Sequence, residues 1–383
     1  MKKVNWSKVT DAFLVVAGVI LAVVLRYSLL DFKSVDFFAY THGWYNTIQT
    51  NGFSAFRLDF ANYNPPYLYL LYFVARFFPN IPDVVAVKLP SIAADFVSAW
   101  LASRIVALKY PDSPIPLFAG FAVMYAPTVV LNSAFWGQAD SLYTTALIAS
   151  IYFLMIRKPG PAMLFYGLSI SFKAQAIFLS PLLFALLLRK EISWKYFLFI
   201  PLVMILALIP AWIAGRSLLS LLAIYPSQAG QYQQLSMHAP SLFSWIPNSG
   251  ALYPYFYPLG LTLAAATGLF YSMYIYRSRG QLTPSALLEF AFVSILLMPF
   301  VLPQMHERYF YPADIFSIVF AFYFPNFFFV PIIMSTISFF SYQPTLFDVE
   351  PVPINLLAIG ILFLLIILIR HIILMRVADD NPH

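Results

Sequence analysis

Residues 354–375 read INLLAIGILFLLIILIRHIILM, and only Asn355, Arg370 and His371 among them are polar. As a helix rising 1.5 Å per residue, the run reaches about 33 Å, enough to cross a hydrocarbon core of ~30 Å. Comparable apolar runs recur back to the N-terminus. The 383 residues are 61% hydrophobic and 10% charged, with a mean hydropathy of +0.78. Ordinary globular chains are ~45–50% apolar and ~25% charged. No soluble core absorbs so much apolar surface. The reading is an all-α polytopic membrane protein, one integral membrane domain over 1–383.

Twelve spans are expected, at 12–30, 87–108, 115–134, 141–156, 162–174, 176–189, 196–213, 252–276, 284–303, 309–324, 326–341 and 354–375. The net charge of +6 does not form a polyanion patch, because the basic residues punctuate the apolar runs. That pattern orients membrane segments and argues against a nucleic-acid partner. With no cysteine there is no disulfide, thiolate nucleophile or zinc–cysteine site. The chain opens Met1-Lys2-Lys3, and its first apolar run ends Arg26-Tyr27-Ser28-Leu29-Leu30 without the small residues of a cleavage site. The expectation is a retained anchor.

Charge also decides the topology. If the short stretch Tyr67–Phe78 does not cross, 14 of the 22 Lys and Arg fall on the cytoplasmic side, among them Lys109, Arg157, Lys158, Arg189, Lys190, Arg277 and Arg279. If it crosses, five basic connections face outward, against the positive-inside bias. The expected chain therefore has both termini inside and a re-entrant or interfacial segment at 67–78. The long, polar and aromatic connections (31–86, 135–140, 214–250, 304–308 and 342–353) then lie outside, and function belongs there.

Five constellations in those connections carry chemistry. The first is Ser34-Val35-Asp36-Phe37-Phe38-Ala39-Tyr40-Thr41-His42-Gly43-Trp44-Tyr45. Its aromatics share a face, so it reads as an interfacial helix capped by Ser34 and stopped at Asn51-Gly52. Asp36 falls in the first turn, either as a complement to the helix dipole or as a general base. Asn62-Tyr63-Asn64-Pro65-Pro66 reads as an extended turn holding Tyr63 and Asn64 above the next segment. Phe135-Trp136-Gly137-Gln138-Ala139-Asp140-Ser141 puts Trp136 and Asp140 four apart. An indole, an amide and a carboxylate there form either a sugar subsite or an interfacial tryptophan beside a first-turn acid. Lys173 and Gln175 interrupt an apolar stretch, where a lysine either snorkels or holds a phosphate.

The fifth constellation is Pro303-Gln304-Met305-His306-Glu307-Arg308-Tyr309-Phe310. Three adjacent ionisable groups between apolar spans need partners. Arg308 suits a phosphate, Glu307 orients Arg308 or His306, and Asp314 returns to the same face. A closed ion-pair knot is the competing reading. The loop Gly215–Pro247 adds Gln228, Gln231, Gln233, Gln234 and His238, a composition that fits either carbohydrate or a linker. His42 and His238 lack any metal-binding spacing.

These motifs in this order resemble the GT-C membrane glycosyltransferases. The nearer likeness is to the mannosyltransferases related to GPI mannosyltransferase II, the looser one to dolichyl-phosphate-glucose-dependent glucosyltransferases. Two departures stand out. A single aspartate occupies the first loop where the family has Asp-Xaa-Asp, and His238 stands where asparagine is expected. The resemblance implies a GT-C-like bundle of about 12 transmembrane helices. It implies a catalytic module at 1–213 with its outer loop 31–86, and variable helices carrying the donor-phosphate site at 214–383. The implied activity is transfer of a hexose, mannose or glucose, from a polyprenyl-phosphate donor to a glycan or glycolipid acceptor outside the cytoplasm.

The implied roles follow the chemistry. Asp36 is the base. Arg308, His306 and Lys173 hold the donor phosphate. Trp136, Gln138, Asp140, Tyr63, Asn64, Gln175 and Glu307 contact sugar or acceptor. A divalent metal is an open cofactor, and a prokaryotic cell membrane is the expected location. A transporter or flippase is the alternative, favoured by Asp95, Lys173 and Asp314 inside the bilayer; a non-catalytic subunit is the third.

Overall fold

The computed structural model describes residues 6–228 and 231–380, with side chains for 10–228 and 231–375. The opening Met1-Lys2-Lys3 lies outside the described residues. Among these the chain is almost wholly helical, with one parallel pair of two-residue strands, Ser236–Met237 beside Met305–His306.

Each expected span coincides with a helix or a broken pair of helices, but they are unequal. Seven are long and apolar enough to cross a membrane: Thr10–Tyr27, Asp83–Ala107, Trp194–Ile213, Tyr253–Arg277, Pro284–Val301, Pro325–Phe347 and Ile354–Met375. An eighth is the pair Ile115–Met124 and Pro127–Trp136, bent by 46°. The other four, Asp140–Met155, Pro159–Phe172, Ala174–Leu188 and Tyr311–Tyr323, are shorter. Proline explains part of this, since Pro159, Pro181 and Pro312 sit in opening turns, where a missing N–H costs nothing. The short helices are buried in the bundle, and the long ones carry most of the exposed apolar surface.

The 31–86 connection is itself a folded layer. Ser34 caps the helix that begins at Val35, its hydroxyl accepting from Phe37 N at 3.2 Å. The helix passes through a π-helical turn, Phe37–Thr41, continues as His42–Asn51, and stops at Gly52 with φ +58°. Phe37, Tyr45, Ile48, Phe56, Tyr67 and Leu71 bury against Val84, Leu208, Leu221 and Ile224. Each such side chain contributes roughly 1.5–3 kcal/mol, so the loop that carries Asp36 is fixed to the bundle. Pro65-Pro66 opens the helix Pro65–Phe77 rather than extending the chain; the extended residue is Asn64, at φ −61° and ψ 145°. Thirteen residues reach only about 20 Å, too short to cross.

The basic connections gather at the other end. Arg157 donates to Leu282 O and faces Glu191 at 3.4 Å. Arg189 donates to Glu191 Oε1 at 2.7 Å and to the carbonyls of Ile275 (3.1 Å), Tyr276 (3.2 Å), Ser278 and Gly280. It thereby closes the C-terminus of Tyr253–Arg277, where cations oppose the helix dipole. Helix Asp140–Met155, about 24 Å long, separates this cluster from the polar residues of the outer loops.

Candidate active site

At the opposite end lies a cavity of about 330 Å³. Asp36, Tyr63, Asn64 and Gln138 line it. So do Lys173, Gln175, His306 and Arg308. Eight of the eleven expected site residues, spread over more than 270 positions, therefore share one wall. Trp136, Asp140 and Glu307 do not reach it; they are buried behind, at 2%, 0% and 0% exposure.

Asp36 is half-buried, and its Oδ2 accepts from Trp136 Nε1 at 2.9 Å and Gln138 Nε2 at 2.5 Å. Trp136 closes a second π-helical turn, Leu131–Trp136, and Gly137 follows with φ +81°. That left-handed residue turns Gln138 back toward Asp36, a conformation a side chain resists. It also means that Trp136 and Asp140 do not share a helix face: Asp140 opens the next helix as its first-turn acid. Ser34 ties the two segments together by donating to Trp136 O at 2.9 Å. The first π-turn lines the cavity through Tyr40 and Thr41, and the second lies behind the wall, with Trp136 bonded to Asp36.

Lys173 is a single extended residue, at φ −155° and ψ 134°, between Pro159–Phe172 and Ala174–Leu179. It donates to Asp140 Oδ1, with Tyr63, Tyr143 and Tyr309 rings 5.3–5.8 Å away. Asn132 Nδ2 holds the other oxygen of Asp140 at 3.1 Å. Asn64 donates to Ser171 O at 3.0 Å, fixing the chain before Lys173.

The His306–Arg308 triplet is not helical throughout. His306 is extended, paired in the short strand, and Glu307 begins a 3-10 turn. His306 and Arg308 face the cavity while Glu307 points inward. Glu307 is 3.8 Å from His306 Nδ1 and 3.7 Å from Arg308 Nη1, and neither of its oxygens has a hydrogen-bond partner. Burial pushes its carboxyl up, but His306 and Arg308 outweigh that and hold it below the usual range. Burial, and then the charge of Arg308, push His306 below its ordinary value. The histidine is therefore neutral at pH 7, and the cavity cations are Lys173 and Arg308. Arg308 lies 5.7 Å over Trp136 and 3.9 Å from Asp140 Oδ2, and its buried Nε has no hydrogen-bond partner.

Among the described residues no group of three His, Asp or Glu that would hold a metal is found. Asp36 is the sole carboxylate on the described wall, and two N–H donors occupy its Oδ2. This donor set does not fit a divalent cation. Of the remaining sequence candidates, Gln228 and Gln231 line the cavity. His42 pairs with Asp83 at 2.5 Å, and His238 faces Thr345 at 3.3 Å. Asp314 is buried and accepts from Ser338 at 2.8 Å.

Sequence reasoning missed the residues that hold the site. Lys88 donates to the carbonyls of Leu29 (3.3 Å), Leu30 and Phe32 (both 2.8 Å), anchoring the approach to Asp36. Arg26 pairs with Asp95 at 3.0 Å, and Ser133 and Tyr311 join that carboxylate at 2.5 and 3.3 Å. A lone basic residue inside an apolar helix was the available signal.

The fold is that of a polytopic membrane protein of GT-C architecture. No family model matches the chain. Over 154 residues it is 29% identical to GPI mannosyltransferase 1 of Dictyostelium discoideum, a stretch covering 40% of this chain and 33% of that protein. The chain thus matches about a third of that relative's length. The crystal structure of ArnT from Cupriavidus metallidurans bound to undecaprenyl phosphate superposes with a TM-score of 0.53 at 14% identity, covering 95% of this chain and 72% of that one. Its apo state superposes at 0.42. The first overlap establishes the GT-C fold that the motifs implied.

Proposed function

We propose that the protein is an inverting glycosyltransferase that moves a hexose, mannose or glucose, from a polyprenyl-phosphate donor to an acceptor hydroxyl of a glycan or glycolipid. The observation that carries this reading is the placement of one half-buried carboxylate, Asp36, and two cations, Lys173 and Arg308, on one cavity wall. Asp36 takes the proton of the acceptor hydroxyl as its oxygen bonds to the anomeric carbon. The bond from that carbon to the phosphate oxygen breaks, and its electron pair leaves with the phosphate. Arg308 meets the growing charge, since its guanidinium is held near two acids without being hydrogen-bonded to either. Trp136 and Gln138 orient the base, and Asp140 orients Lys173.

Three further observations support the donor class and the membrane face. ArnT was crystallised with undecaprenyl phosphate. An apolar crevice of about 620 Å³ between Pro65–Phe77, Asp83–Ala107, Asp140–Met155 and Pro159–Phe172 shares Phe172 with the cavity, next to Lys173, and offers a prenyl chain a route. The basic connections lie at the far end of the bundle, which supports a cavity opening away from the cytosol. Transport is less favoured, because Asp95 and Lys173 are paired with Arg26 and Asp140.

The test is to incubate detergent-solubilised protein with radiolabelled polyprenyl-phosphate mannose or glucose. Label should leave the lipid, and Asp36→Asn should slow this about 10²–10⁴-fold. Near-normal transfer by that variant removes the proposed base, and label crossing liposomes unchanged supports transport.

A further inference from the structure

A second cavity, of about 440 Å³, adjoins the first. Tyr40, Trp44 and Asn62 belong to both walls. Tyr40 and Trp44 follow Asp36 by one and two turns on the same helical segment, with ring centroids 5.9 Å apart. The far side is formed by Asp59, Arg216 and Ser220. Arg216, whose side chain is 5% exposed, donates from Nη2 to Asp59 Oδ1 at 2.6 Å and from Nε to Ser220 at 3.2 Å. The Asp59 side chain is 74% exposed. Asn62 Oδ1 is buried without a hydrogen-bond partner.

These walls select among ligand classes. The single cation is already neutralised by Asp59, so an anionic head finds no free charge. Asp59, Arg216 and Ser220 interrupt the apolar patch of Phe60, Ala223 and Ile224, so a lipid chain finds no continuous bed. Aromatic faces beside groups that accept and donate to hydroxyls suit a neutral sugar. We propose that this cavity is the acceptor subsite. It holds the terminal hexose units of a neutral glycan, whose free hydroxyl passes Tyr40, Trp44 and Asn62 to reach Asp36. The assignment rests on the reading of Asp36 as the base.

Ser220→Trp fills the cavity from a wall residue that the first cavity does not share, and Asp59→Asn keeps the shape of the wall while removing the charge partner of Arg216. The probes are mannobiose and maltose for the glycan and citronellyl phosphate for the donor, followed by saturation-transfer NMR on the full-length protein in detergent. At least one disaccharide should bind the wild type and weaken tenfold or more in both variants, with citronellyl phosphate unchanged within about twofold in Ser220→Trp. Equal disaccharide binding in wild type and Asp59→Asn, or no disaccharide binding to the wild type, overturns the subsite. Transfer of labelled sugar with an unaltered acceptor KM in Ser220→Trp overturns it while the proposed function stands. Disaccharide binding that is lost in the variants, without any transfer from donor lipid, leaves the subsite and overturns the function.

Discussion

The two ends of the bundle use arginine in opposite ways. At the far end the Arg189 guanidinium is spent on one carboxylate and four carbonyls at and just beyond a helix end. At the cavity end Arg308 sits 3.7–3.9 Å from two carboxylates, hydrogen-bonded to neither, with its Nε unpartnered. Closing a buried cation on carbonyls stabilises a fold. A buried Nε left without a partner adds nothing to the fold and costs its desolvation. The difference separates a residue spent on the architecture from one that the proposed function assigns to the donor phosphate.

The largest expected effect tests that contrast directly. Arg308→Ala should lower kcat for transfer from a polyprenyl-phosphate sugar by about 10²–10³, the usual cost of losing one preorganised donor to a developing oxyanion. Arg308→Lys should recover part of this, because it keeps the charge and loses the planar fork. Steady-state kinetics on the purified variants decide it. Equal activity of all three proteins would erase the distinction between the two ends.

Asn132→Ala should act less strongly and through binding. Asn132 holds Asp140 Oδ2, and Arg308 Nε waits 3.9 Å from that same oxygen. Without the amide the carboxylate draws Arg308 into a direct pair and withdraws it from the phosphate. The donor KM should rise about tenfold, equivalent to about 1.4 kcal/mol, with kcat little changed. A fall in kcat alone would show that Asn132 acts on the chemistry instead.

How much of this was legible depends on the range of the interaction. Hydropathy is local, so every span was visible as a run, and the Ser34 cap and the Gly52 stop follow from their neighbours. Spacing misled where the backbone leaves the regular helix. The left-handed Gly137 separates Trp136 from Asp140, and the extended His306 sends Glu307 away from the cavity. π-turns have no composition signature, so the aim of Asp36 at Gln138, 102 positions on, was not readable. Lys88 and the Arg26–Asp95 pair were visible only as charges inside apolar helices. Their partners lie as far as 216 positions away, and no periodicity encodes that distance.

Acidification should have a still smaller effect at the cavity end. His306 is held below its ordinary value, first by burial and then by Arg308 and Lys173, against the opposing pull of Glu307. Its proton is therefore taken up only below about pH 6.5, and the added charge favours an anion. Binding of a citronellyl phosphodiester, which does not titrate between pH 5 and 8, should tighten roughly fivefold from pH 7 to 5, about 1 kcal/mol. His306→Gln should bind equally at both. The empty protein should lose stability over the same window, because the unfolded histidine takes up the proton first. Unchanged binding would place His306 outside the reach of the phosphate.

Arg189→Ala should leave the chemistry untouched and thereby complete the contrast. Its side chain is 9% exposed and closes the end of Tyr253–Arg277, away from the cavity. Removing it strands those carbonyls and leaves Glu191 only Arg157 at 3.4 Å, at a cost of about 3 kcal/mol. The thermal midpoint in detergent should fall by several degrees, with kcat of the surviving protein equal to wild type. A variant that kept its midpoint and lost turnover would mean that the far end communicates with the cavity, and that its closed arginine is not merely architectural.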